Sequence, residues 1–353
     1  MKVKSITKFL TGGLLALSLA LACASPKEKD STHIDKKETF VNETTVDLES
    51  PGMKAHQMAE LEENYIWKIS DRNATVYYAG EEFSKSVFSA GGDKLCIVGL
   101  KPDLTYFWGS MNCEEEYFQE ADIGLQENLR AFNMVVDTHS RCHVLCMSVE
   151  NTVIDGEPLS RITFEKSYIV IIGRNCEIEN VIDVSDIFAK EKNRPFCFVV
   201  DHDGNYYFEN GKKIICIPND LSSSSTVVCD GIIEGIGIGK SGHLYCTYID
   251  EDHGRKLGYL ESGEIVYRAD LPDVKAAYVN ISAGTDTDVF MYNKAGGVYA
   301  YDFDNNAIEL RIPSEELPIS GQDVCGYGFM GDGRLCLMTQ QEKTIFYYIP
   351  VGK

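Results

Sequence analysis

Arg130 and Arg194 open two matched runs, Arg130-Ala-Phe132-Asn-Met-Val135-Val136-Asp137 and Arg194-Pro-Phe196-Cys-Phe-Val199-Val200-Asp201. Two guanidinium groups at equivalent places suit an anion such as an acidic sugar or a dicarboxylate, because each planar fork donates two parallel hydrogen bonds. His139-Ser-Arg-Cys142-His143 has the residue types of a metal patch, but no second cluster completes a zinc-type ligand set. Asp201-His-Asp203-Gly204 and Asp302-Phe-Asp304-Asn-Asn306 carry carboxylates at calcium-loop spacing without the closing Glu of the twelve-residue loop. The same composition is ordinary turn chemistry. No G-x-S-x-G, Walker or dinucleotide run occurs. The residues therefore predict no metal, no cofactor and no catalytic group.

Cysteine is the other reactive type, with twelve in the chain. Setting Cys23 aside leaves an odd number, which cannot all pair. Cys96, Cys146, Cys246 and Cys336 fall at nearly one register of a repeat, where Phe208 stands in another unit. Equivalent places on separate repeats are too far apart to bridge, since disulfides need Cα atoms within about 7 Å. These residues are expected as reduced core thiols. One pair among Cys142, Cys176, Cys197 and Cys229 is left open as a disulfide.

The elements that must position these groups are β-strands. A unit made of an apolar strand, a turn with Gly, Asp or Ser, and a second strand recurs at Gly91-Gly92-Asp93, Thr138-His139-Ser140, His202-Asp203-Gly204, Lys240-Ser241-Gly242, Gly284-Thr285-Asp286 and Gly331-Asp332-Gly333. Each unit continues into further short aromatic and β-branched runs, which reads as four strands per repeat. Repeats of this size point to an all-β β-propeller. Six blades are expected, with seven as the alternative if Asn64 to Ser70 adds a strand of its own. The last repeat lacks a strand before the chain reaches Lys353, so Ala74-Thr-Val-Tyr-Tyr78 is expected to close the ring, because closure removes exposed strand edges. Alternate glycines, Gly235, Gly237, Gly239 and then Gly326 and Gly328, fit the close approach of inner strands near an axis. Thr152 to Ser160 reads as an extended hairpin. Asp183 to Asn193 reads as a short helix capped by Ser185. Ligands in such a ring belong at a channel mouth where loops converge. The loops leading into the inner strands put Arg130, Arg194, Glu234, Asn280 and Asp323 there as candidate ligand-binding residues.

The first residues give an address. Lys2, Lys4 and Lys8 precede the uncharged run Phe9 to Ala22. That run is too short to span a bilayer and has the size of a signal-peptide core. It ends at Ala20-Leu21-Ala22-Cys23, which resembles the site cut by lipoprotein signal peptidase, although Ala20 stands where the pattern usually has Leu. The resemblance implies a signal peptide over 1–22 and a diacylglycerol on Cys23, the one predicted membrane contact. Residues 23–60 are polar and read as a disordered tether, and residues 61–353 as the propeller. The formal net charge of −21 argues against nucleic acid as a partner.

With its lipobox, tether and repeats, the chain resembles the six-bladed TolB-like or NHL-like propeller lipoproteins of bacteria, including the propeller region of some clostridial solute-binding lipoproteins. The resemblance covers residues 65 to 353. It implies a lipid-anchored, extracytoplasmic, non-catalytic module that binds a small-molecule ligand or a partner protein, with an envelope protein or transporter as the partner class. The alternatives are a propeller enzyme of lactonase or glycosidase type with a metal at the channel mouth, and an envelope assembly or structural lipoprotein.

Overall fold

In a computed structural model the chain divides into two units, Met1–Phe40 and Val41–Lys353. The residues described are 54–57, 66–69, 74–79, 86–100, 106–112, 117–121, 129–154, 157–175, 177–189, 197–340 and 344–352, all within the second unit. Cys23, the stretch 1–22 expected as a signal peptide, and Arg194 lie outside them.

The strands form six antiparallel sheets. Their innermost strands are Ser86–Gly91, Leu129–Val136, Phe198–Val200, Ile232–Ile238, Tyr278–Ala283 and Val324–Phe329, counted as sheets one to six. Each inner strand packs against the next, and the sixth returns to the first. The all-β propeller is therefore established. Val, Ile, Tyr and Phe fill the strands because branched and aromatic side chains suit a pleated, half-buried surface.

Apolar cores fill the spaces between successive sheets. Leu145, Met147, Phe198 and Phe208 belong to one such cluster. Tyr245, Leu257, Val289 and Tyr299 belong to another. No sheet buries both of its faces alone, so each depends on its neighbours. Glycine sets how closely the inner strands approach. A Cβ on Gly237 would lie 2.0 Å from the carbonyl oxygen of Ile281, and one on Gly328 would lie 2.7 Å from the nitrogen of Ala90.

Closure is made by the N-terminal part of the second unit. Ala74–Ala79 pairs antiparallel with Thr344–Pro350 of the sixth sheet, with Tyr77 opposite Phe346. The alternative of a seventh blade fails here: Ile66–Ile69 pairs with Ala74–Ala79 and becomes a fifth strand of that same sheet. Lys54–Gln57, inside the stretch expected as tether, pairs with Tyr117–Ala121 as a fifth strand of the first sheet. A segment with one small apolar residue, Ala55, among Lys54, His56 and Gln57 forms a strand there because an unpaired sheet edge offers backbone partners whatever the side chains.

Cys142–Ile154 and Glu157–Ile172 form the extended hairpin. The helix is Ser185–Phe188, and its N-cap is Val184 rather than Ser185. The Ser185 hydroxyl is turned away to bond the Asp183 carboxylate at 2.5 Å and to accept the Ser167 N–H. Nine cysteines among the described residues, Cys142, Cys197 and Cys229 included, are free thiols. Cys96, Cys146, Cys246 and Cys336 are almost fully buried, each on the second strand of its sheet.

Candidate functional site

Four of the five predicted residues are described, and all sit where inner strands begin. The inner strands of sheets two, four, five and six each shift register once, at Phe132, Glu234, Val279 and Cys325. These lie five residues ahead of Asp137, Gly239, Gly284 and Met330, which open the turns. A bulge re-aims the side chain it carries. Glu234 is thereby given to Arg255, whose Nε donates to its two oxygens at 3.2 and 3.0 Å. Arg255 also donates to the Val274 carbonyl and pairs with Asp273 at 3.2 Å. Asn280 keeps a buried Oδ1 with no hydrogen-bond partner in the structure. Arg130 donates from Nη1 to the carbonyl of Leu129 at 3.0 Å. Asp323 is exposed, and its N–H donates to Ser320. These four residues thus lie at or just before the starts of their inner strands, at one end of those strands. Lys294, not anticipated from sequence, donates to the Val324 carbonyl at 2.7 Å and lies 5.6 Å from the Tyr327 ring. Burial lowers the pKa of its ammonium group.

The opposite face is built from the turns that follow the inner strands, and there the sheets interlock. Gly331 N–H donates to the Gly92 carbonyl at 2.6 Å. Asp93 N–H donates to Ser140 Oγ at 3.2 Å. Thr138 Oγ1 meets His202 Nδ1 at 3.2 Å, and Lys240 Nζ donates to the Thr285 carbonyl at 3.1 Å.

Between the turns of sheets six, one and two opens a cleft of about 520 Å³ lined by Asp93, His139, Ser140, Arg174, Asp332 and Arg334, among others. Local turn chemistry explains how it is held. Gly204, Gly242 and Gly333 occupy one turn position with φ of 82°, 82° and 83°, and Ser140 takes it at 60°. A serine in left-handed backbone is costly. Here its hydroxyl donates to the Asp93 carboxylate, so the strained position is where one cleft acid is fixed. Arg174 bonds the other oxygen of Asp93, and its own carbonyl accepts the buried Lys94 Nζ at 2.5 Å. Burial works against the charge on Asp93, but the Ser140 bond and the Arg174 guanidinium outweigh it and hold the carboxyl below its ordinary value. Across the cleft, Arg334 Nε donates to Asp332 at 2.6 Å. The cleft thus offers two Asp–Arg pairs and the exposed His139 ring. Each of these turns was legible in the sequence as a turn. That they form one site follows from ring closure, which brings the sixth repeat beside the first.

The metal patch does not assemble. His143 is buried between Asp137 and Tyr206, at 3.1 and 3.0 Å. Cys142 donates to the Met134 sulfur at 3.7 Å, and His139 is exposed. Among the described residues no group of three or more His, Cys, Asp or Glu side chains is arranged to hold a metal ion. In the calcium-like runs, Asp201 accepts the N–H groups of Asp203 and Asn205, the Asn205 amide and the Tyr207 hydroxyl. Asp302 likewise accepts from Asn305.

No protein-family model matches this chain, and no curated protein matches it. Solved structures of similar fold include a gluconolactonase from Xanthomonas campestris, 14% identical over 81% of this chain and 94% of that chain, with a TM-score of 0.47. They also include the soluble aldose sugar dehydrogenase of Escherichia coli, 10% identical over 79% of this chain and 99% of that one, again with a TM-score of 0.47. A chain of the mitotic checkpoint complex is 9% identical over 94% and 98%, with a TM-score of 0.49. The likeness extends to fold alone. Two of the proteins that share it are enzymes by name, and the non-catalytic binding module expected from the sequence is not carried further.

Proposed function

We propose that the propeller is a hydrolase whose active centre is the turn cleft, and that it opens small, neutral, polyhydroxylated substrates of the sugar-lactone kind. The observation that carries this reading is the pairing of Asp93 with Arg174 and Asp332 with Arg334 around one cleft beside His139. Each pair presents an acceptor and a donor together, which suits hydroxyl groups. A free anion must compete with the resident carboxylates for the guanidinium groups, so a neutral substrate fits better. In this reading Asp332 takes the proton of the attacking water. A guanidinium holds the carbonyl oxygen as negative charge builds on it. The C–O bond to the ring oxygen breaks, His139 donates a proton to that oxygen, and the proton held by Asp332 passes through solvent to restore His139, giving one hydroxy acid per water consumed. The described residues do not compose a metal centre, and no step is routed through one.

The test is lactone hydrolysis by the purified full chain, followed by acid release against the spontaneous rate. Turnover is expected, with Asp332→Asn lowering it by about 100-fold or more at unchanged melting temperature. Absence of turnover on sugar lactones and aryl glycosides alike contradicts the proposal.

The proposal includes an address and a finer architecture. The basic, apolar and Ala-Leu-Ala-Cys23 leader supports lipid attachment at Cys23 and an extracytoplasmic body at a bacterial envelope, with an envelope protein or transporter as neighbour. The six sheets support reading the ring as six blades.

A further inference from the structure

We propose that the groove along the outer strands of the fourth and fifth sheets binds a small carboxylate-bearing ligand through the edge of the Arg268 guanidinium. Its volume is about 600 Å³, and Tyr267, Arg268, Asp270, Pro272, Asn306 and Ile308 are among its walls. It shares no residue with the turn cleft, and the inference does not rest on the hydrolase reading.

The argument starts from charge. In this acidic chain arginines find carboxylates: Arg141 has Asp137, Arg174 has Asp93, Arg255 has Glu234, Arg311 has Asp286 and Arg334 has Asp332. Arg268 has none among the described residues. Its Nε donates to the Tyr301 hydroxyl at 3.0 Å, and Nη2 reaches the Phe303 carbonyl at 3.4 Å. The guanidinium lies 4.0 Å from the Phe303 ring centroid and 5.4 Å from that of Tyr259. These two rings and the two hydrogen bonds hold the guanidinium in place. The Nη1 hydrogens have no acceptor among the described residues. The nearest groove acid, Asp270, is taken by Lys256 at 2.5 Å.

A fixed, charged edge takes a planar two-oxygen anion in its own plane, through parallel N–H bonds. Asp270 at the groove disfavours a doubly charged anion by repulsion and leaves a monocarboxylate as the better fit. Tyr267, 51% exposed and with the Lys256 ammonium 5.7 Å from its ring centroid, is a further wall of the groove and offers aromatic surface to the ligand's carbon skeleton. A uronic acid, with its carboxylate on a sugar ring, has both features.

Calorimetric titration of galacturonate and galactose into the full chain tests this. Galacturonate is expected to bind about tenfold or more tightly than galactose. Arg268→Lys keeps the charge but loses the fork, and should weaken galacturonate by about fivefold or more. Tyr267→Ala, at an exposed position, should weaken it as well, and decides the matter should Arg268→Lys lower the melting temperature. Equal binding of both sugars, no saturable binding of galacturonate, or undiminished binding by folded variants overturns the proposal.

Discussion

Asp137 Oδ2 and His143 Nε2 stand 3.1 Å apart with both side chains buried, and His143 Nδ1 meets the Tyr206 hydroxyl of the third sheet at 3.0 Å. The chain is satisfied when Nε2–H donates to the carboxylate and Nδ1 accepts from Tyr206. Asp137 also accepts the backbone N–H groups of His139 and Arg141 and the Arg141 Nε–H. One carboxylate thus holds the turn beside the cleft and ties the second sheet to the third. Asp137→Ala is expected to cost about 3–5 kcal/mol, since it strands buried donors, and Tyr206→Phe about 1 kcal/mol. Urea unfolding of both variants checks the difference.

The same carboxylate gives a pH dependence. Burial opposes its charge, but the bonds from His143 and Arg141 outweigh this and hold it far below the usual carboxylate range. A group with a depressed folded pKa adds stability above its unfolded pKa, about 3.9, and loses it as pH falls toward the folded value. The melting temperature of the wild type should therefore drop more steeply below about pH 4 than that of Asp137→Asn. Parallel profiles contradict the assignment.

Gly237 and Gly328 carry the close packing of inner strands. Gly237→Ala forces a methyl group against the Ile281 carbonyl, which nothing flexible relieves. A loss of about 3 kcal/mol or more is expected, against less than about 1 kcal/mol for Gly254→Ala, where the added Cβ meets only side-chain atoms of Asp250 and Lys256 at 3.4 Å. Thermal melting distinguishes them.

Alternation of glycine, turn residues and short aromatic runs made the ring, its closing strand and the extended hairpin readable from sequence, because each rests on a local backbone requirement. The site was less legible. Glu234 reads as a free acid, yet Arg255, distant in sequence, claims it through a bulge that no local signal marks. Asp93, Ser140 and Asp332 read as three separate turns, and only closure of the ring makes them neighbours. Lys54–Gln57 lacks strand-like alternation, since edge pairing demands little of side chains, while Ile66–Ile69, within the run that reads as an extra strand, joins the sixth sheet instead of a blade of its own.

Buried thiols should be inert in the native chain. Burial pushes the Cys146 thiol up to about 12, whereas Cys325 is exposed. Among the described cysteines, Cys325 should react first with an aromatic disulfide reagent, and Cys146 only on denaturation. Mass mapping of the labelled peptides reads this out.

The predicted anchor has its own check. Metabolic labelling with an alkyne fatty acid should tag the wild type and leave Cys23→Ala untagged and released from membranes.

Hydrogen exchange with and without a saturating sugar lactone or its hydroxy-acid product bears most directly on the turn cleft as the working site. Amides of 92–93, 138–140 and 331–334, contributed by the first, second and sixth sheets, should gain protection together. Protection confined to the opposite mouth, around Glu234, Asn280 and Asp323, would contradict the account.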